Sequence, residues 1–63
     1  MKRYYIKNTD DEYWCHNQDV GYWCKLTDNI SINERSHYPY LIAKIFQGMM
    51  KNEDIITTLE LKK

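Results

Sequence analysis

Apolar and polar positions along the chain change period twice. Tyr4-Tyr5-Ile6-Lys7 is a short β-prone block, and Thr9-Asp10-Asp11-Glu12 behind it is a polar turn. Tyr13-Trp14-Cys15-His16 is β-prone again, Asn17 to Gly21 supplies turn residues, and Tyr22-Trp23-Cys24-Lys25-Leu26 completes a third strand. Gly21 can take a positive φ in such a turn. The pattern predicts two successive hairpins, a three-stranded antiparallel meander. Thr27 to Arg35 is polar apart from Ile30 and Ile32.

After it the spacing becomes helical. Tyr38, Leu41, Ile42, Ile45, Phe46 and Met49 fall at i, i+3, i+4, i+7, i+8 and i+11, one apolar stripe expected to face the core. Lys44, Gln47 and Lys51 lie opposite. Ser31 and Glu34 match a capping box, but Ser36 is the preferred N-cap because the periodicity begins there, with Pro39 tolerated in the first turn. The helix should end near Asn52. Gly48 inside it costs on the order of 1 kcal/mol relative to alanine, which marks it as a candidate close contact. Ile55, Thr57, Leu59 and Leu61 then alternate with Ile56, Thr58, Glu60 and Lys62, and the β-branched run at 55–58 favours a strand over a helix. The expected fold is α+β, a single domain over residues 1–63 in the order βββαβ, with the helix packed on one sheet face.

Side chains alternate between faces along a strand, so turn placement decides which residues meet. A two-residue loop at Asp10-Asp11 puts Ile6 opposite Cys15 and Lys7 opposite Trp14. A second turn centred on Asp19-Val20 puts Cys15 opposite Cys24 and His16 opposite Trp23. One face then collects Tyr4, Ile6, Tyr13, Cys15, Tyr22, Cys24 and Leu26, and it is the more uniformly apolar, hence the expected core. The other collects Tyr5, Lys7, Trp14, His16, Trp23 and Lys25. A slip of one residue in either hairpin would mix the two sets.

Composition narrows the function classes. A chain of 63 residues buries little surface and usually needs a staple, a metal or a partner. With 43% apolar and 29% charged residues it is globular rather than disordered. Nine basic residues balance nine acidic ones, which argues against a general electrostatic grip on nucleic acid or an anionic membrane. No apolar run approaches the ~20 residues of a membrane span, and the basic N-terminus lacks the apolar stretch of a signal peptide. A cytoplasmic protein with reduced cysteines is the expectation.

Candidate chemistry is sparse. Cys15, His16, Cys24 and His37 do not show the close cysteine pairs of structural zinc sites, and adjacent Cys15 and His16 point to opposite faces. No metal or other cofactor is expected. Facing core thiols are the simplest reading of the cysteines, and an oxidising compartment would permit a disulfide. The same two-face argument denies Cys15 a base in His16, and Asp10-Asp11-Glu12 is read as a solvated acidic turn. No enzymatic activity is expected. Tyr5, Lys7, Trp14, His16, Trp23 and Lys25 instead make an aromatic, basic surface of the composition that interaction sites favour.

The opening Arg3-Tyr4-Tyr5-Ile6-Lys7-Asn8-Thr9-Asp10-Asp11-Glu12-Tyr13-Trp14 resembles the first hairpin of small phage-encoded host-interaction proteins of the anti-defence type, over about a fifth of the chain. That resemblance implies a protein that binds and blocks a host protein, in the host cytoplasm. The expected function is therefore a non-enzymatic, protein-binding inhibitor that docks through the aromatic face, with Trp14 and Trp23 as anchors. A single-stranded nucleic-acid or nucleotide binder could use the same face, since bases stack on aromatics beside lysines. A homodimer that buries the face against itself is the third reading.

Overall fold

A computed structural model describes residues 1–17, 19–25, 35–51 and 54–63. Its elements are β1 (Tyr4–Asn8), β2 (Glu12–Asn17), β3 (Val20–Lys25), α1 (Tyr40–Met50) and β4 (Thr57–Leu61). The four strands form one sheet in the order β3-β2-β1-β4, with every named pairing antiparallel. This is the α+β meander, helix and returning strand that the sequence pattern predicts. Leu26, the Ser31/Glu34 capping box and Asn52 lie outside the described residues.

The first hairpin does not take the two-residue loop. Asn8 organises a longer one: its Oδ1 accepts the backbone N–H of Asp10 (2.9 Å) and of Glu12 (3.0 Å), and its Nδ2 donates to Glu12 Oε1 (3.0 Å). Asp11 sits in the left-handed region, φ 61°. Three residues between the strands, the last left-handed, is a common hairpin solution, and aspartate tolerates that conformation better than most side chains. The result is Lys7 opposite Tyr13, one residue away from the expected register. The second hairpin pairs Asn17 with Val20 and Cys15 with Tyr22, a shift of two that preserves the faces.

Consequently β1 is inverted relative to expectation. Tyr5 and Lys7 share a face with Tyr13, Cys15, Tyr22 and Cys24, whereas Tyr4 and Ile6 share one with Trp14, His16, Trp23 and Lys25. β4 joins through Tyr4↔Leu61, Ile6↔Leu59 and Asn8↔Thr57.

Beyond Lys7↔Tyr13 the two central strands part, and residues 35–38 fill the gap. The Ser36 N–H donates to Trp14 O (3.1 Å), and Tyr4 and Tyr38 exchange two backbone bonds (2.8 and 3.0 Å). Cys15 already faces Tyr22 on one side and Tyr4 faces Leu61 on one side, so Arg35 and Tyr38 occupy the inner edges. Ser36 is therefore extended backbone rather than an N-cap. The residue before proline is held out of the helical region, and α1 starts at Tyr40, immediately after Pro39 (φ −57°, ψ 156°), without a side-chain cap.

This entry also sets the helix rotation. Tyr38 is tied to the sheet two residues before the helix, so Ala43, Gln47 and Met50 turn inward and Tyr40 stands half-exposed at the edge. Tyr40 packs edge-on against Tyr4 (5.6 Å), Ala43 and Met50 are buried, and Gln47 Nε2 donates to Thr57 O (3.0 Å). The stripe expected in the core points elsewhere. Leu41, Ile42, Ile45 and Met49 are 75%, 44%, 63% and 61% exposed, and only Tyr38 and Phe46 of that set pack inward, ring to ring at 4.8 Å. Gly48, expected to mark a close contact, has open space where a Cβ would stand.

Each sheet face has its own small core. Ile6, Ala43 and Met50 are buried on the helix side, Tyr13 and Cys15 on the other. Cys15 and Cys24 are diagonal neighbours on that second face, Cα–Cα 6.6 Å, and are joined by a disulfide. The expectation of reduced thiols is corrected accordingly: the register carries the two sulfurs to the same face within bridging reach.

Candidate binding surface

The six residues expected to form one surface are divided by the first hairpin. Tyr5 and Lys7 stand on the disulfide face. There Tyr5 meets Tyr13 edge-on (5.9 Å) and His37 edge-on (6.3 Å), under the guanidinium of Arg35 at 4.1 Å. Arg35 also lies 4.6 Å above the Tyr13 ring. Lys7 pairs with Asp11 (3.0 Å), whose carboxylate raises the lysine pKa through a hydrogen bond and charge attraction. Tyr13 donates to Glu60 Oε1 (2.8 Å), and its pKa is raised first by burial and then by that carboxylate. Glu60 in turn faces Arg35 at 3.8 Å.

Trp14, His16, Trp23 and Lys25 remain together on the helix side of the sheet. Trp14 and Trp23 are directly opposite across β2 and β3, edge to face at 5.2 Å, and both are half-buried. Such a pair is worth about 0.5–1.5 kcal/mol beyond its area burial. The Trp14 ring lies over Gly21, where a Cβ would overlap Trp14 Cζ2. Gly21 has no positive φ and sits inside β3, so its role is to admit the indole rather than to make a turn. His16 is exposed opposite Gly21, and Lys25 is exposed opposite Glu12.

The helix packs over β1 and β4 and leaves β2 and β3 beside it. At one end of this open strip a groove of about 330 Å³ runs between Trp23 and the loop before β4. Ile55 and Ile56 give it an apolar wall, and Asp10, Glu12 and Asp54 line it with carboxylates. Asp54 is held with φ 58° by a turn in which its N–H bonds to Lys51 O (3.2 Å). The sequence reading had no means of joining Trp23 to Asp54 and Ile56, more than thirty positions apart. Nor did it anticipate Arg35, whose aromatic partners are set by the gap between β1 and β2.

Among the described residues no three His, Cys, Asp or Glu side chains gather as a metal site. The cysteines are bonded to each other, and His37 accepts a hydrogen bond from Arg3 Nε at Nδ1 (2.6 Å). No described helix is long and apolar enough to cross a membrane. Comparison with protein-family models, curated proteins and solved structures finds no match to this chain.

Proposed function

We propose that the protein acts by binding another protein without catalysis, through the strip that carries Trp14 and Trp23. The observation that supports this reading is the tryptophan pair itself. Two large aromatic rings, rigidly crossed and half-buried, stand where the helix leaves the sheet open, and indoles of this kind anchor protein interfaces. The surface is smaller than the sequence suggested, because Tyr5 and Lys7 are committed to the opposite face.

The groove beside Trp23 favours a protein over a nucleic acid. Its carboxylates, Asp10, Glu12 and Asp54, repel phosphates but suit a lysine or arginine of a partner, whose aliphatic stem would lie on Ile55 and Ile56. The charged end would meet the indole face of Trp23 and the acidic lining. A phage or mobile-element inhibitor of a host defence protein, acting in the host cytoplasm by steric block, is the specific form of this proposal that the resemblance at Arg3–Trp14 implies. A reducing compartment opens disulfides, so the strip must keep its affinity when Cys15–Cys24 is reduced.

The test is capture of partners from host lysate, with and without reductant, by the wild-type chain and by Trp23→Ala. Loss of a central aromatic anchor costs about 2 kcal/mol or more in binding. The expected result is a defined protein partner that Trp23→Ala fails to hold while its circular dichroism is unchanged. Unaltered capture by Trp23→Ala would refute the reading. So would tight single-stranded DNA binding that falls steeply with salt, which is the mark of phosphate contacts.

A further inference from the structure

We infer that two copies of this chain pair through the outer face of α1. Leu41, Ile45 and Met49 lie at i, i+4 and i+8, a single continuous ridge, and Ile42 fills the step beside it. All four are more than two-fifths exposed although the helix is one of the few large elements of a small domain. The ridge is symmetric about Ile45, so a two-fold axis through that residue sets Ile45 against its own copy and Leu41 against Met49 of the partner copy. That self-complementarity is what an isologous interface requires.

Size and charge point to the same occupant. The four ridge side chains together expose on the order of 400 Å² of apolar surface, the size of the largest patch on a typical small protein, which is often functional. It is enough for the desolvated centre of a homodimer interface of roughly 800 Å² per partner, with the helix flanks as rim. No charged residue interrupts it. Lys44 and Lys51 fall on the flank towards Ile55–Thr57, away from the proposed axis. The chain is formally neutral, nine basic residues against nine acidic, so two copies approach without net repulsion. The described core, meanwhile, is short of large side chains: Ile6 and Cys15 are the largest fully buried ones. A domain of this length gains most from a partner subunit, and the uncovered aliphatic side chains of α1 are where that gain lies.

Sedimentation equilibrium over a range of concentrations tests the pairing. The wild type should run at twice its chain mass by ~100 μM, and Ile45→Asp should weaken association by at least about 100-fold, because symmetry places the new carboxylate twice in one contact. Circular dichroism of Ile45→Asp should match the wild type, since the side chain is mostly exposed in the single chain. Ile45→Cys should cross-link rapidly under oxidation, while Lys44→Cys on the flank should not. A wild type that stays monomeric at ~100 μM overturns the inference, whatever else the ridge then binds. A dimer that survives Ile45→Asp but is lost with Trp23→Ala also overturns it and assigns self-association to the tryptophan strip.

Discussion

Gly21→Ala should destabilise the protein, although alanine is ordinarily the better residue inside a strand by roughly 0.5–1 kcal/mol. The added Cβ would overlap Trp14 Cζ2 and press on Cη2, with Cε2 at 3.0 Å. Relief requires the indole to swing off β3, but its ring is crossed with Trp23 and its Nε1 is buried. Inserting one carbon into such a contact typically costs about 1–3 kcal/mol. For a chain of this length, whose total stability falls in the range of roughly 3–9 kcal/mol, that is a large fraction. Gly48→Ala is the matched control. Its Cβ meets open space in the last turn of α1, so the same chemical change should stabilise by up to about 0.5–1 kcal/mol. Urea unfolding followed by circular dichroism gives both values, and a third variant isolates the cause. In a Trp14→Leu background Gly21→Ala should lose most of its penalty, a coupling expected only between side chains in contact. If Gly21→Ala matches or exceeds the wild type while Trp14 is present, the placement of that indole over the glycine is wrong.

Two further outcomes follow from groups on the opposite face. Reducing the Cys15–Cys24 bond, or replacing both cysteines by alanine, should lower stability by about 2–3 kcal/mol on the chain-entropy model for a loop closed across nine positions; unchanged urea midpoints with and without reductant would show that the two sulfurs are not bonded. His37 is held neutral as the acceptor of Arg3, and burial, then the positive charges of Lys62 and Arg3, lower its pKa. The unfolded chain therefore binds the proton more readily, so stability is complete above pH ~6.5 and declines as pH falls below it. The urea midpoint should drop between pH 7.5 and 5.5, and less so in His37→Gln; equal slopes in the two proteins would assign the acid sensitivity elsewhere.

The order of elements was legible because it depends on local signals. Aromatic and β-branched blocks broken by Asp, Asn and Gly state the meander, and the i, i+3, i+4 spacing after Tyr38 states the helix. Faces were not legible, for two physical reasons. The first hairpin could close over two residues or three. The choice fell to Asn8, whose amide ties the backbone of Asp10 and Glu12, and to a left-handed aspartate that carries no glycine signature. One extra loop residue moved Tyr5 and Lys7 to the far side of the sheet and took two of the six residues from the expected binding surface.

The helix posed the converse problem. It is apolar on more than one side, so periodicity alone ranks the larger stripe as core. The structure selects the smaller one, Ala43 and Met50 with Phe46, because residues 35–38 enter between β1 and β2 and fix where the helix begins. Position of entry therefore outweighed hydrophobicity. Burying an alanine where a leucine was offered gives up favourable transfer energy, on the order of 1–2 kcal/mol for each aliphatic side chain left mostly in water. In a domain this small that deficit stands unrecovered in the single chain, and it falls along one straight ridge rather than being scattered. The strand insertion that set the helix rotation and the exposed ridge of α1 thus have one cause. It leaves the tryptophan strip and the helix ridge as separate surfaces, so a change at Ile45 and a change at Trp23 should be independent.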